Sequence, residues 1–403
     1  MDNRVFKLHR KAILNEMMDS SVLVMFSQFK EDVKKDVDRN YYYISGNFEF
    51  ENIVLLVKYN NEIHEMMFIN RYDEFKAKWV GASKSKEEVF EESGIDDIYY
   101  LDEFDDVLNS WLSKVTKLYV DLKNEKNKYS NEMLFAEDNK NKYPHLVIYN
   151  AESLFKKART TKLPEEIEQM QKAIEITKKG IENILLNMEE CYEYQLESYF
   201  DQAIKYYGGT GYAFPTIAAS GKNGCCLHYV ANDCVAKNGD LILFDLGASY
   251  NMYCADISRT FPISGKFSER QKQIYNIVLE GQYHVMKHIK PGITTKELNQ
   301  KLVEFFAVEL KKIGLIKEDS EVSKYYYHGV SHHMGLECHD LCEYTPLKVN
   351  CVISCEPGLY IAEEGIGIRI EDDILVTEDG CINLSKDILK TVDEIESFME
   401  GRK

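Results

Sequence analysis

The stretch Leu241-Ile-Leu-Phe-Asp-Leu-Gly-Ala-Ser-Tyr-Asn-Met-Tyr-Cys-Ala-Asp-Ile-Ser-Arg-Thr260 puts two carboxylates, Asp245 and Asp256, inside an apolar run that reads as a buried β-hairpin. A two-residue turn at Tyr250-Asn251 would set Asp245 opposite Asp256 on one face. Facing anions repel. Buried ones either share a proton or neutralise themselves on a cation, and oxygen donors at this density suit a hard or borderline divalent metal. Taken alone, the stretch also admits a pair of solvated aspartates flanking a turn.

At 403 residues and 44% hydrophobic content, the chain is long enough for two domains and a large core. A net charge of −18 argues against nucleic acid or an anionic membrane as partner. No apolar run approaches a membrane span, and the polar start Met1-Asp-Asn-Arg-Val-Phe-Lys does not read as a signal peptide, so a cytoplasmic location is expected. The ten cysteines include no CxxC pair and are read as free thiols.

Residues 4–19 carry a helical pattern with Phe6, Ile13 and Met17 facing inward. Strands are expected at 22–27, 41–44, 52–58, 65–69, 98–101 and 117–121, and helices at 86–93 and 104–114. This alternation makes residues 1–157 an α/β domain, and the spacing of its residues assigns it no chemistry. A second domain, 158–403, opens with a helix from Pro164 and Glu165 to about Asn187, and a second helix spans Glu193 to Tyr206. Gly208-Gly-Thr-Gly211 lacks the spacing and flanking elements of a phosphate loop. Capping boxes at Ser268 and Thr294 start helices to about Lys290 and Ile313. His284 and His288 have the spacing of a zincin pair without its glutamate, which points to packing or surface.

Four imidazoles, His328, His332, His333 and His339, fall within twelve residues, with Gly329 and Gly335 breaking any regular helix. Val352-Ile-Ser-Cys-Glu356-Pro-Gly ends a strand on a glutamate. Gly367 to Val376 reads as one strand with Arg369 and Glu371 on the same face. A glutamate inside a strand carries a desolvation cost that a metal removes. The candidate ligands are Asp245, Asp256, one histidine, Glu356 and Glu371. Their four negative charges suit two divalent ions better than one, and such pairs flank a water of lowered pKa, which is hydrolytic chemistry.

These blocks resemble the pita-bread metallopeptidases, the group of methionine aminopeptidase, prolidase and aminopeptidase P. The matching segments are Asp245-Leu-Gly-Ala with Tyr253-Cys-Ala-Asp256-Ile-Ser-Arg-Thr260, His328-Gly-Val-Ser-His332, Gly335-Leu-Glu-Cys-His339-Asp340, Glu356-Pro-Gly-Leu-Tyr360 and Gly367-Ile-Arg-Ile-Glu371-Asp. The resemblance implies an α+β pita-bread catalytic domain behind the α/β domain. It implies that Asp245 chelates one metal, that Asp256 and Glu371 bridge both, and that His332 and Glu356 hold the other, with Glu356 also the base. It implies substrate contacts from His228 and His339, a place near the prolyl side for His328, and ligand support from Arg369. His333 receives no role beyond that of a structural neighbour.

Asp38-Arg-Asn-Tyr-Tyr-Tyr-Ile-Ser-Gly46 and Trp79-Val-Gly81 resemble segments of the aminopeptidase P N-terminal domain, which methionine aminopeptidases lack. Ser83 and Asn47 depart from that pattern. The implied activity is hydrolysis of the bond between an N-terminal residue and a following proline. The substrates would be short peptides with proline second, and the cofactor two divalent ions, Mn2+ foremost with Co2+, Zn2+ or Fe2+ as alternatives. A homodimer is implied as well. A strict Xaa-Pro dipeptidase is the nearest alternative, followed by a non-catalytic binding module or a creatinase-like hydrolase, which would have lost ligands.

Overall fold

The computed structural model describes residues 1–28, 37–122, 130–343 and 346–402, in two compact units, Met1–Ala158 and Arg159–Lys403. In the first unit a mixed six-stranded sheet runs in the order Asp97–Tyr100, Glu62–Ile69, Ile53–Tyr59, Ser21–Phe26, Lys117–Val120, Val147–Asn150. Ser21–Phe26 pairs antiparallel with Ile53–Tyr59 on one side and parallel with Lys117–Val120 on the other, and Ile53–Tyr59 pairs antiparallel with Glu62–Ile69. The opening helix, Asn3–Glu16, buries Phe6 and Ile13, and Met17 follows them inward at its C-cap.

Tyr41–Ile44 is a correction. These residues lie in a helix, Arg39–Ser45, although three tyrosines and an isoleucine favour a strand. The caps decide against that preference: the Asp38 side chain accepts from the Tyr41 N–H, and Gly46 closes the helix in the left-handed conformation at φ 68°. Helices at Glu74–Val80, Asn131–Lys142 and Glu152–Thr160 and the edge strand Val147–Asn150 were not anticipated.

In the second unit, the helix Pro164–Leu186 starts with proline in its first turn, as expected, and Glu193–Tyr206 follows it. The first of these helices holds the hairpin: Thr177 Oγ1 accepts from the Ala248 N–H at 2.9 Å, and the Tyr253 hydroxyl meets Glu166 Oε1 at 3.0 Å. The helices Glu269–Met286 and Thr295–Lys312 are capped by Ser268 and Thr294 as read, although the first ends earlier than expected.

The hairpin itself differs in register. Leu241–Leu246 pairs with Ile257–Pro262 so that Asp245 faces Ser258, and the turn sits at Asn251-Met252, both at positive φ. Asp256 is therefore a diagonal neighbour of Asp245 rather than its direct partner. The hairpin also divides between two sheets: Leu241–Leu246 lies between Ile257–Pro262 and Ile217–Ser220, whereas Ala248–Tyr250 lies between Tyr253–Cys254 and Gly211–Tyr212. Gly247 stands at this corner, where a Cβ would run into the Ala255 carbonyl oxygen.

The expected single strand 367–376 is likewise two strands, Ile366–Arg369 and Asp372–Val376, in different sheets. At the break the Ile370 N–H donates to the Pro357 carbonyl and the Glu371 N–H to the Ser258 carbonyl at 3.0 Å. Tertiary partners thus replace the ladder there, and they deliver Glu371 to the hairpin.

Candidate metal centre

Strand alternation separates core from chemistry. Ile242, Phe244 and Leu246 point into the main hydrophobic core, while Leu243 on the opposite face joins Ile217, Ala219 and Tyr360 in a small separate cluster. Asp245 shares the parity of Leu243 and pairs with Ile217, so the carboxylate borders this apolar cluster.

Arg369 ties the wall together. Its guanidinium donates to Asp245 Oδ2 at 2.6 Å, to Ser258 Oγ at 2.7 Å and to the Tyr360 hydroxyl at 3.1 Å. Ser258 in turn donates to Glu371 Oε2 at 2.8 Å. The other Asp245 oxygen, Oδ1, is buried without a hydrogen-bond partner.

His332 closes the set. Its Nε2 lies 3.4 Å from Asp256 Oδ2, 3.5 Å from Glu356 Oε1 and 3.9 Å from Glu371 Oε1. These separations exceed ordinary N–H···O lengths of about 2.9–3.0 Å. They match donors gathered round a common ion, since two ligands each about 2.0–2.2 Å from a metal stand roughly 3.4 Å apart at a tetrahedral angle. Nδ1 of the same ring faces the His333 carbonyl at 3.2 Å, so a proton on Nδ1 leaves the Nε2 lone pair turned toward the carboxylates. Asp256, His332 and Glu371 bring one donor atom each within 4.8 Å of one another.

Arg369 and His332 offset only part of the negative charge here. Burial, opposed in part by Arg369 and reinforced by Asp256, pushes the Asp245 carboxyl up to about 6. Burial raises Glu356 to about 7 against the pull of His332 and Arg369. Glu371 is driven well above the carboxylate range by burial and by the charges of Asp256, Glu356 and Asp245. His332, despite burial, is held up to about 9 by Asp256 and Glu356. Four clustered carboxylates, an orphaned Asp245 oxygen and converging donors fit divalent cations, which would supply the missing positive charge.

The remaining predicted residues surround this set. His339 is stacked on His332 with ring centroids 4.0 Å apart. His328 Nε2 meets the Tyr360 hydroxyl at 2.8 Å, and its Nδ1 meets the Gly329 carbonyl at 2.7 Å. Burial lowers His328 to about 4, so the ring is neutral. Because Arg369 can only donate to Tyr360, the hydroxyl hydrogen goes to His328 Nε2, which places the ring proton on Nδ1.

His228 is exposed, three residues beyond a short 3-10 turn, Gly221–Cys225. It is an electrostatic neighbour of both His328 and His339. That turn is seated on the strand Ile366–Arg369, where a Cβ on Gly367 would strike the Gly224 carbonyl. His333 is buried, forms an isolated bridge with Ile353, and accepts the Asp340 N–H at its carbonyl.

Sequence reasoning missed Ser258, Tyr360 and Cys338. Ser258 has the same strand parity as Asp256, and Tyr360 closes the Glu-Pro-Gly-Leu-Tyr block, so both carried a signal. Cys338, whose thiol lies 2.8 Å from Asp256 Oδ2, carried none.

The family model for metallopeptidase family M24 matches residues 168–378, and that for the aminopeptidase P N-terminal domain matches residues 6–119. The chain is 30% identical to the Xaa-Pro aminopeptidase of Escherichia coli K12, over 98% of this chain and 97% of that one. It superposes on a Bacillus anthracis structure provisionally described as aminopeptidase P with a TM-score of 0.96 and 43% identity, covering 100% and 99% of the two chains. Zinc-substituted E. coli aminopeptidase P in complex with product gives a TM-score of 0.90 and 28% identity, covering 100% and 99%. The chain therefore belongs to metallopeptidase family M24, with an aminopeptidase P N-terminal domain ahead of a pita-bread domain and a site built for divalent metal ions.

Proposed function

We propose that this protein is an Xaa-Pro aminopeptidase that hydrolyses the bond between an N-terminal residue and a following proline. The observation that carries the reading is the convergence of Asp256, Glu356 and Glu371 on His332 Nε2 at 3.4–3.9 Å, beside an apolar cluster. Relatives named Xaa-Pro aminopeptidase align over nearly the whole chain.

Asp245, Asp256, His332, Glu356 and Glu371 would hold two ions. When bound, the ions supply Lewis acidity and neutralise the carboxylates. Manganese is our choice, because the set is rich in oxygen.

The chain's own groups do the rest. Glu356, with Oε1 3.5 Å from His332 Nε2, is placed to take a proton from the attacking water and pass it to the prolyl nitrogen. That nitrogen belongs to a tertiary amide with no N–H, so it offers the enzyme no donor, and recognition falls on the ring. The buried cluster of Ile217, Ala219, Leu243 and Tyr360 backs the site with apolar packing, and His328 lies against Tyr360. His228 and His339 donate to the scissile carbonyl oxygen as it gains charge. Arg369 holds Asp245 in place and meets Glu371 through Ser258.

We place the protein in the cytoplasm as a homodimer. Ten free cysteines support a reducing compartment, and no helix among the described residues is long and apolar enough to cross a membrane. Cleavage of Xaa-Pro compared with Xaa-Pro-Yaa-Zaa, with Mn2+ added, tests the assignment. Release of the first residue from the tetrapeptide is expected. Cleavage of the dipeptide alone would make the protein a prolidase, and cleavage of neither would leave a binding module.

A further inference from the structure

Beside the oxygen-rich set lies a second group of donors in which a thiol that the peptidase reading leaves unused joins two histidines that it uses. His332, Cys338 and His339 bring one nitrogen or sulfur each within 4.8 Å of one another. Cys338 is half-buried and His339 exposed, so solvent reaches both. We propose that these three residues form a soft-donor site for a thiophilic divalent cation such as Zn2+ or Cd2+, which competes for His332 with the oxygen-rich set.

Donor chemistry separates the two sets. Two imidazoles and a thiolate suit zinc or cadmium, whereas carboxylates suit manganese. On coordination the thiol proton leaves to solvent and the sulfur binds as thiolate. The donor atoms lie within 4.8 Å of one another, and a shared ion requires the stacked rings of His332 and His339 to turn their in-plane nitrogens toward the sulfur.

The segment is held firmly for this purpose. Asp340 is buried against Arg159 and lies 3.1 Å from Lys162 Nζ, and Arg159 also meets Glu337 at 3.0 Å. On the other side, the Cys254 N–H donates to the Gly335 carbonyl at 2.8 Å, and the Asp340 N–H donates to the His333 carbonyl at 2.9 Å. Residues 335–340 therefore form a pinned turn that presents Cys338 and His339 to His332. The inference rests on the metallopeptidase reading only through His332 and His339, which both readings use.

The test is titration of the metal-free, full-length protein with CdCl2, following the ultraviolet thiolate-to-cadmium charge-transfer band. Because other cysteines are present, the signal is the difference between wild type and Cys338→Ser. The first equivalent of cadmium should produce a band that Cys338→Ser lacks and that His339→Ala develops only at about tenfold higher cadmium. A parallel Mn2+ titration by electron paramagnetic resonance reads the oxygen-rich set. Cys338→Ser should bind Mn2+ as wild type does, and cadmium should displace Mn2+ from wild type at lower concentration than from Cys338→Ser. Equal cadmium bands in wild type and Cys338→Ser would overturn the proposal, as would loss of Mn2+ binding in Cys338→Ser. Failure of wild type to bind Mn2+ would instead count against the metallopeptidase reading, and the cadmium band would still judge this one.

Discussion

Arg259 and Asp372 form a fully buried ion pair at 2.6 Å, each one residue beyond a member of the Ser258–Glu371 hydrogen bond. Alternation along the two strands thus puts the site on one face and a clamp on the other. Asp372 also accepts from Lys390 at 2.7 Å, Ser385 at 2.8 Å and Asn383 at 2.7 Å. Asp372→Ala leaves two buried cations without their anion, and its expected cost is about 3–5 kcal/mol. Urea unfolding of the two proteins measures it. A loss under about 1 kcal/mol would show that the clamp is not structural.

Metal removal should change how stability depends on pH. Asp245 at about 6, Glu356 at about 7 and His332 at about 9 are all raised above their unfolded values. A raised folded pKa contributes stability below the unfolded pKa and loses it as pH rises through the folded value. Chelated protein should therefore lose stability relative to metal-loaded protein between about pH 4 and pH 7, and further toward pH 9. Saturating Mn2+ at about 100 times Kd should restore about 2.7 kcal/mol. Thermal melts with and without chelator across this range check the sign; parallel curves would contradict it.

Replacing the base tests the proton path. Glu356→Gln is close in shape but cannot accept a proton, and kcat on a prolyl tetrapeptide should fall by about 10²–10⁴. Metal content by mass spectrometry, measured alongside, separates loss of the base from loss of the ion. Activity within tenfold of wild type would remove Glu356 from the proton path.

Tyr360→Phe removes the hydroxyl that accepts from Arg369 and donates to His328. A buried partner left unsatisfied costs about 1–3 kcal/mol. We expect that loss in denaturant unfolding, together with a fall of about tenfold in kcat/KM as His328 loses its orientation. Unchanged kcat/KM would show that the His328 ring is held by Gly329 alone.

The candidate ligands could be picked out because each lies in a short local block where an acid or imidazole interrupts an apolar pattern, and the structure brings Asp256, His332 and Glu371 within 4.8 Å of one another. The geometry joining them was less so. The turn at Asn251-Met252 places a methionine at φ 68°, where glycine is the usual signal, so Tyr250-Asn251 looked equally suitable. Residues 366–371 alternate cleanly, and the apolar run Ile374-Leu-Val376 extends the strand signal past the acidic residues 371–373. Their break at Glu371 arises from hydrogen bonds to Ser258 and Pro357, partners far away in sequence. Around Tyr42, strand propensity masked the caps at Asp38 and Gly46, which were already present in the sequence. Local chemistry could be read directly, whereas register depends on which distant backbone groups win the available hydrogen bonds.

The corner at Gly247 makes the hairpin a caliper. One arm, Leu241–Leu246 with Ile257–Pro262, carries Asp245; the other, ending at Tyr253–Cys254, holds the turn of Cys338 through Cys254 and Gly335. That joint therefore lies between Asp245 on one arm and the Cys254 anchor of the Cys338 turn on the other. A side chain added at Gly247 would spread the arms, shifting the balance between hard and soft cations without touching a single ligand.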